Sequence, residues 1–258
     1  MDFPSVGATE NIMLVSVLAK GTTTIINAAM EPEIVDLQNY LNKMGAKISG
    51  AGSNIIKIEG VKRLKDVSYN IMPDRIEAGT LLCAATITGG EITLKRANAN
   101  HIAPLLDKLT EIGCKIQIKE NTIKLKAPKR LKATDIKTMP YPGFPTDMQA
   151  IIAACLCVAS GTSVIVENIF ENRYKYFGEL QKMGAKVKIE GKTAIIKGTK
   201  KLYGTKVQAT DLRGGASLVL AGLVAKGTTN VDNIEYILRG YEKLEDKLKS
   251  LGAEIYMI

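Results

Sequence analysis

The amino-acid sequence predicts an α/β protein built from one structural unit that occurs four times. Two sets of glycines support this: one set closes four apolar runs, and the other lies in the tetrapeptides MGAK, IGCK, MGAK and LGAE. The sets are Gly21, Gly90, Gly161 and Gly227, and Gly45, Gly113, Gly184 and Gly252. Both recur at intervals of 66 to 71 residues. A period shared by two independent markers indicates a repeat architecture.

Each repeat is predicted to contain its elements in the order α-β-α-β-β. An apolar helix of about fifteen residues comes first, and a glycine in the left-handed conformation is expected to close it. A β-branched strand such as residues 22–26 follows. The next helix is amphipathic, since apolar residues recur at helical spacing with polar residues between them. In the first repeat these are Ile34, Leu37, Leu41 and Met44.

A two-stranded hairpin is predicted to close each repeat after its second glycine. Residues 185–198 show this pattern, and so do residues 114–126, with a turn at Glu120-Asn121. In that second hairpin Lys115 and Lys119 share a face opposite the isoleucines. Linking strands are expected between repeats, for example over residues 67–72.

The two kinds of helix differ in polarity, and this difference predicts the architecture. The second helix of each repeat has one polar face and should lie partly exposed. The first is apolar nearly all round and rich in small residues, so it should be enclosed on every side. We therefore expect the apolar helices at the centre of a domain, with strands and amphipathic helices around them, the inverse of the usual barrel.

Composition indicates an ordinary soluble protein, with 46% hydrophobic and 24% charged residues among 258. The longest apolar runs, residues 150–159 and 218–225, are too short to span a membrane. The first five residues have neither the basic nor the apolar region of a secretion signal. A cytoplasmic protein is the expectation.

The net charge of +9 leaves two kinds of partner open. Nucleic acid is disfavoured because the lysines are spread along the chain and aromatic residues make up only 5%, without tryptophan. A basic bias also suits small anionic substrates. No metal site is expected, because His101 is the single histidine and the four cysteines lack metal-ligand spacing. Those cysteines, predicted to be reduced core residues, are Cys83, Cys114, Cys155 and Cys157.

Four residues stand at equivalent positions where the apolar helices open: Ser5, Asp74, Asp147 and Asp211. Serine and aspartate are preferred N-caps, since their oxygens accept hydrogen bonds from backbone N–H groups that lack partners. A carboxylate there also interacts favourably with the helix dipole. Capping alone therefore suffices to explain any one of them.

A chemical role is the alternative for Asp147. The prolines and glycine of YPGFPTD fix a rigid approach to its helix, and converging helix N-termini bind anions. Arginines lie near the same places in the repeats, and guanidinium groups bind phosphate and carboxylate. These arginines are Arg75, Arg173, Arg213 and Arg239, for each of which surface solvation is the alternative.

Seven stretches resemble the UDP-N-acetylglucosamine 1-carboxyvinyltransferase family of enolpyruvyl transferases. They are SVGATENIM, EPEIVDLQNYLNKMGAKISGAGSNIIKIEG, PDRIEAGT, YPGFPTDMQA, IFENR, ATDLRGGASLVLAG and RGYEKLEDKLKSLGA. The resemblance extends over the chain from end to end, whereas the related shikimate-pathway enolpyruvyl transferase shares the fold but not these stretches. The resemblance implies a two-domain inside-out α/β barrel, which agrees with the enclosed helices expected above.

The resemblance also implies an activity. Members transfer the enolpyruvyl group from phosphoenolpyruvate to the 3-hydroxyl of UDP-N-acetylglucosamine and release phosphate, which is the first committed step of peptidoglycan synthesis in the cytoplasm. No cofactor is implied, and neither nucleic acid nor a membrane is an implied partner. The reaction is an addition and elimination, which needs a proton acceptor near the hydroxyl but no nucleophilic side chain.

Site residues follow from the same resemblance, position by position. Asp147 matches the aspartate that contacts the sugar 3-hydroxyl and is proposed to accept its proton. Arg239 matches an arginine that binds phosphoenolpyruvate, while Asp211 and Arg213 match residues lining the same site. The matches that contact the nucleotide-sugar are Ser5, Val6, Gly7 and Ile169, and Arg173 of FENR is a further candidate for substrate binding.

One departure from the family is large. Members begin with a long further stretch that carries the proton-donating cysteine and an arginine segment binding the nucleotide, and none of the four cysteines here matches that cysteine. Residues 1–71 are then expected to be one repeat of a partial first domain, and residues 72–258 three repeats of a second. The first repeat should expose apolar faces that missing neighbours would cover.

Three hypotheses follow from this departure. The first is that the chain is the C-terminal part of the enolpyruvyl transferase, inactive by itself, through a truncated gene, a fragmentary sequence or a split chain. In the case of a split chain, a separate N-terminal segment of the same enzyme is its partner. Alternatively, it is a non-catalytic remnant of the repeat fold with residual binding of anions or nucleotide-sugar. A basic nucleic-acid binder is the third hypothesis and has the least support in the sequence.

Overall fold

A computed structural model describes residues 1–257, which divide into two compact units. The first unit comprises Met1–Pro73 together with Pro140–Gly143. The second comprises Asp74–Met139 and the chain from Phe144 onward. None of the helices in the described part of the chain is both long enough and apolar enough to cross a bilayer.

The first compact unit contains two helices and a three-stranded antiparallel sheet. In chain order the elements are α1 (Val6–Ser16), β1 (Thr22–Ile26), α2 (Pro32–Lys43), β2 (Lys47–Ser49) and β3 (Ile55–Glu59). The strand order is β1-β3-β2, so the last strand lies in the middle. The amphipathic helix predicted from Ile34 to Met44 is confirmed, and Ile34 and Leu41 are its buried contacts with the unit's core.

The strand predicted over residues 67–72 is wrong, because that segment is irregular. A side chain of α2 takes its hydrogen bonds instead. Asp36 accepts from the Tyr69 hydroxyl at 2.8 Å and from the Met72 amide at 3.4 Å. Two donors bound to one carboxylate hold the segment against the helix, so it does not pair with a strand.

Helix α1 exposes an apolar face, as expected for the first repeat. Its buried residues are Thr9, Met13 and Ser16. On the other face, Leu14 and Val15 are at least half exposed, and so is Leu18 just beyond the helix. Enclosure on every side, which the composition predicted for all four apolar helices, is therefore wrong for α1.

The second compact unit begins with two segments of the predicted element order. The first contains α3 (Arg75–Thr88), β4 (Glu91–Lys95), a 3₁₀ turn (Ala99–Ile102), α4 (Ala103–Ile112), β5 (Lys115–Lys119) and β6 (Thr122–Lys126). The second contains β7 (Ile136–Lys137), α5 (Thr146–Cys157), β8 (Thr162–Val166), α6 (Tyr176–Lys182), β9 (Lys186–Glu190) and β10 (Thr193–Lys197). Both predicted hairpins are confirmed, and Ile118 of β5 is exposed.

The last segment departs from the predicted order. Its elements are β11 (Lys206–Gln208), α7 (Leu212–Gly222), β12 (Asn230–Asp232), α8 (Glu235–Leu238) and α9 (Leu244–Ser250). No strand follows α9 among residues 251–257, so the described part of this repeat lacks the closing hairpin. The sheets of the second unit have the strand orders β4-β6-β5, β7-β8-β10-β9 and β11-β12.

Three apolar helices form the centre of the second unit. Helices α3, α5 and α7 pack against one another, and ten of the twelve residues of α5 are buried. Small side chains allow this close packing: the nearest atoms to Gly79 of α3 include the side chain of Met148 in α5. The predicted enclosure is confirmed for these three helices.

The glycine markers have the expected conformation with two corrections. All four glycines of the second set are left-handed, with φ between +95° and +112°, and follow the second helices. In the first set the left-handed residue of the second repeat is Gly89 (φ +73°), not Gly90. Helices α1, α5 and α7 also end at Ser16, Cys157 and Gly222, four or five residues before the glycine of the first set. Gly21, Gly161 and Gly227 therefore lie in the turns that follow these helices and do not cap them.

Gly198 permits a close backbone approach that no larger residue allows. A Cβ at this position would overlap the carbonyl oxygen of Ala159, a backbone atom that cannot rotate away. We expect Gly198→Ala to lower the free energy of unfolding of the second unit by about 2–3 kcal/mol, measured by urea unfolding. The control is Gly178→Ala in α6, where the added methyl group meets open space and helix propensity favours alanine by about 0.5–1 kcal/mol. Equal midpoints for the two variants would contradict this account.

Candidate functional site

The carboxylate of Asp147 does not cap its helix. Helix α5 starts at Thr146 after an extended Pro145 that has no side-chain cap, which places Asp147 one residue inside the helix. Capping is confirmed at the other three positions: the side chains of Ser5, Asp74 and Asp211 accept from backbone N–H groups of α1, α3 and α7. The capping explanation is therefore wrong for Asp147.

Two arginines bind the Asp147 carboxylate, one at each oxygen. Nη2 of Arg173 donates to Oδ1 at 2.7 Å, and Nη2 of Arg213 donates to Oδ2 at 3.2 Å. The side chain of Asp147 is 42% exposed, whereas those of Arg173 and Arg213 are 19% and 11% exposed. These three residues, called here the Asp147 cluster, present an accessible carboxylate backed by two largely buried cations with a net charge of +1.

Different elements supply the two arginines. Arg173 lies in the turn between β8 and α6, and Arg213 lies in the first turn of α7. Asp211 fixes that turn, since its Oδ1 accepts from the amides of Arg213 at 3.1 Å and Gly214 at 2.9 Å. Its other oxygen accepts from the Thr210 hydroxyl at 3.1 Å. Asp211 thus orients the backbone that carries Arg213.

Sequence reasoning missed Tyr241, which supports Arg213 from the other side. The Arg213 Cζ lies 5.2 Å from the centroid of the Tyr241 ring, a cation–π distance. The Tyr241 hydroxyl is 2.8 Å from Oγ1 of Thr80 in α3, and burial raises the pKa of Tyr241, so the phenol stays neutral. The sequence signal for Tyr241 is its place in RGYE, two residues after Arg239.

The two guanidinium groups retain hydrogen-bond donors with no acceptor in the described part of the chain. Nε and Nη1 of Arg213 and Nε of Arg173 are buried without a partner. Burial tends to lower the pKa of Arg213, but Tyr241 and Asp147 more than offset it, so the pKa is raised and the group stays charged. Donors of this kind cost free energy until an acceptor reaches them. The site is therefore suited to an anion with several oxygens.

The remaining predicted residues are not members of the Asp147 cluster. Arg239 is exposed at the end of α8, and no hydrogen bond or ion pair among the described residues joins it to Asp147. Ser5, Val6 and Gly7 lie at the start of α1 in the first compact unit, where the Ser5 hydroxyl accepts from the Ala8 amide. Ile169 is half-buried in the loop after β8, and its amide donates to Glu167.

The cysteines are buried core residues, as predicted. Burial raises the pKa of Cys157 to about 12 and that of Cys114 above its ordinary value, so these thiols carry no charge near neutral pH and are poor nucleophiles. Within residues 1–257, no group of three or more histidine, cysteine, aspartate or glutamate side chains is arranged to hold a metal ion.

Comparison with known proteins shows which family the chain resembles. A family model described as EPSP synthase (3-phosphoshikimate 1-carboxyvinyltransferase) matches residues 1–248. A UDP-N-acetylglucosamine 1-carboxyvinyltransferase 2 of Caldanaerobacter subterraneus subsp. tengcongensis is 58% identical and is matched by 100% of this chain, but over only 62% of its own length.

Two solved structures have the same fold. The enolpyruvyl transferase NikO from Streptomyces tendae has a TM-score of 0.88 at 28% identity, covering 97% of this chain and 60% of its own. An EPSP synthase from Acinetobacter baumannii has a TM-score of 0.74 at 18% identity, covering 99% of this chain and 62% of its own, and supports the fold alone. The chain thus spans less than two thirds of each of these proteins. Since the family model matches nearly all of it, the chain belongs to the EPSP synthase (3-phosphoshikimate 1-carboxyvinyltransferase) family, whose members are transferases with an α/β fold.

Proposed function

We propose that this chain is part of an enzyme that transfers enolpyruvyl from phosphoenolpyruvate to the 3-hydroxyl of UDP-N-acetylglucosamine. The observation that carries the proposal is the accessible Asp147 carboxylate held between two arginines that retain buried, unpartnered donors. Relatives bearing that enzyme's name at 53–58% identity support the choice of substrates. In a cell-wall-forming bacterium this reaction is the first committed step of peptidoglycan synthesis, in the cytoplasm and without a cofactor.

The cluster divides the chemistry between its members. Oxygens of phosphoenolpyruvate take the spare donors of Arg213 and Arg173, which draws these guanidinium groups away from Asp147. The released carboxylate accepts the proton of the sugar 3-hydroxyl as its oxygen bonds to C2 of phosphoenolpyruvate, while the proton donor that the resemblance assigns to the rest of the enzyme protonates C3. Phosphate then leaves C2 as a proton is lost from C3, which restores the double bond, and the arginines stabilise the charge of the departing phosphate. No side chain forms a covalent bond with substrate.

The finer assignments belong to the same proposal. Arg239 binds phosphoenolpyruvate once substrate is present, Ser5, Val6 and Gly7 lie along the uridine, and Ile169 contacts the nucleotide-sugar. The fold is an inside-out α/β barrel of four repeats, with residues 1–71 in a partial first domain and residues 72–258 in a second. The matches between this chain's motifs and those of the family support each assignment.

Catalysis by this chain requires a further segment. The chain spans 62% of the relative described above, and the resemblance assigns the proton donor to the remainder. The exposed apolar residues of α1 are consistent with a surface that such a segment covers. A separate N-terminal segment of the same enzyme is therefore the proposed partner.

Calorimetric titration with UDP-N-acetylglucosamine, with and without the N-terminal part of a curated relative, tests the proposal. We expect weak or no heat from the chain alone, saturable binding after the segment is added, and phosphate release from phosphoenolpyruvate only in the combined sample. Phosphate release by the chain alone at a comparable rate would overturn the requirement for a segment. Nucleotide-sugar binding that the segment never converts into turnover would instead favour a non-catalytic remnant of the fold.

A further inference from the structure

A buried carboxylate that the proposed chemistry does not use lies beside the Asp147 cluster. Glu167 follows β8 and is 1% exposed. Its Oε1 accepts from the Thr138 hydroxyl at 2.8 Å and from the amides of Ile169 at 2.8 Å and Phe170 at 3.2 Å. Its Oε2 accepts from the Thr146 hydroxyl at 3.0 Å. Four donors satisfy a charge that burial would otherwise make costly.

These donors come from three separate segments of the chain. Thr138 directly follows β7, Thr146 is the first residue of α5, and Ile169 and Phe170 belong to the loop after β8. Thr138 extends the junction, since its hydroxyl accepts from the Asn168 amide at 2.8 Å and its carbonyl accepts from the Asn168 side chain at 3.0 Å. One carboxylate therefore fixes the helix and the loop relative to each other.

Three of the four contacts of Glu167 lead to residues of the proposed site. Thr146 immediately precedes Asp147, so the bond from Thr146 to Glu167 holds the turn that carries the proposed base. The ring of Phe170 lies 5.3 Å from Cζ of Arg173, the arginine that binds Asp147. Ile169, the proposed nucleotide-sugar contact, donates its own amide to Glu167. Glu167 thus accepts hydrogen bonds from the residue before Asp147, from Ile169 itself and from Phe170, whose ring lies near Arg173.

We propose that Glu167 is a positioning residue that holds the proposed base and the nucleotide-sugar loop in register, an inference that rests on the proposed function. It touches no reacting atom. Because small errors in the placement of reacting groups lower rates strongly, its loss should reduce turnover even where the fold survives.

The geometry predicts different outcomes for two substitutions. Glu167→Ala removes all four acceptor contacts and frees the loop. Glu167→Gln keeps an oxygen at Oε1 for Thr138 and the two amides, and its NH₂ group can donate to the Thr146 hydroxyl, which also accepts hydrogen bonds. The glutamine variant should therefore retain the positioning that the alanine variant loses.

The test uses the full chain, first alone and then with the N-terminal part of a relative. In Glu167→Ala we expect amide hydrogen exchange at Ile169 and Phe170 to accelerate at least tenfold, KM for UDP-N-acetylglucosamine to rise about tenfold and kcat to fall about tenfold or more. Glu167→Gln should lie within about threefold of wild type in each measurement. Glu190→Ala on the exposed β9 is the matched control and should change none of them.

A second variant keeps the inference testable if Glu167→Ala does not fold. Thr146→Val removes only the bond to α5, so kcat should fall while KM and the exchange at Ile169 stay unchanged. Wild-type kcat in Thr146→Val, or wild-type exchange and KM in a folded Glu167→Ala, would overturn the inference. The exchange measurement needs no substrate, so it stands even if the chain proves not to bind UDP-N-acetylglucosamine, which would defeat the proposed function instead.

Discussion

Asp147→Asn should lower kcat for phosphate release by about 10²–10⁴-fold in the chain supplemented with the N-terminal part of a relative, since a positioned general base contributes a factor of that size. The asparagine side chain has nearly the same shape but cannot accept the hydroxyl proton. Coupled phosphate assays at saturating concentrations of both substrates measure the effect on kcat directly.

Binding should respond differently from turnover in this variant. Without the carboxylate, Arg173 and Arg213 lose the anion that now occupies one donor of each, so phosphoenolpyruvate should bind at least as tightly as in wild type. The two uncompensated cations should also lower the free energy of unfolding by about 1–3 kcal/mol. Asp107→Asn on the exposed face of α4 is the control for the change of residue type. Turnover within threefold of wild type in Asp147→Asn would rule out the proposed base.

Arg213→Met should weaken the binding of phosphoenolpyruvate by about 10²-fold or more, because an interaction with a buried charged group is lost. Methionine fills a similar volume over Tyr241 but donates no hydrogen bond. Arg213→Lys should restore little, since one ammonium group cannot reproduce the planar fork of donors. Titration with phosphoenolpyruvate in the presence of UDP-N-acetylglucosamine measures both variants.

The control for this pair is Arg130→Met, which removes an exposed arginine outside the Asp147 cluster. It should leave phosphoenolpyruvate affinity unchanged. If Arg130→Met and Arg213→Met weaken binding equally, the effect is one of overall charge and the specific role of Arg213 fails. Restoration by Arg213→Lys would show that only a point charge is needed there.

Local order was predictable from the sequence because its causes are local. The four glycines that follow the second helices are all left-handed, as a glycine directly after an amphipathic helix predicts. The hairpins followed from alternating polarity over about five residues a strand. Enclosure of α3, α5 and α7 followed from runs of small apolar residues.

The failures arise where contacts join distant parts of the chain. Residues 67–72 have a strand-like composition, yet the Tyr69 hydroxyl and the Met72 amide donate hydrogen bonds to the carboxylate of Asp36. The position of Asp147 depended on where α5 begins, a boundary that the repeat alignment could not fix to one residue. Its arginines lie 26 and 66 residues away, so their convergence on it is a property of the packed helices.

The same reasoning explains which site residues were missed. Tyr241 contacts Arg213 and Glu167 accepts from the Ile169 amide, and neither residue has a local pattern that separates it from an ordinary buried residue. Matching motifs with a family identified Asp147, Arg173 and Arg213. A motif cannot show, however, that one carboxylate oxygen of Asp211 accepts hydrogen bonds from the first turn of α7.

The positions of the cysteines allow thiol labelling to report local unfolding of one of the two compact units. All four thiols are buried, and all belong to the second compact unit, since residues 1–73 and 140–143 contain none. A thiol-reactive dye added to the native protein can label the chain only when that unit opens. The labelling rate therefore measures how often the second compact unit, which carries the Asp147 cluster, opens. It does not report fraying of α1, which belongs to the first unit.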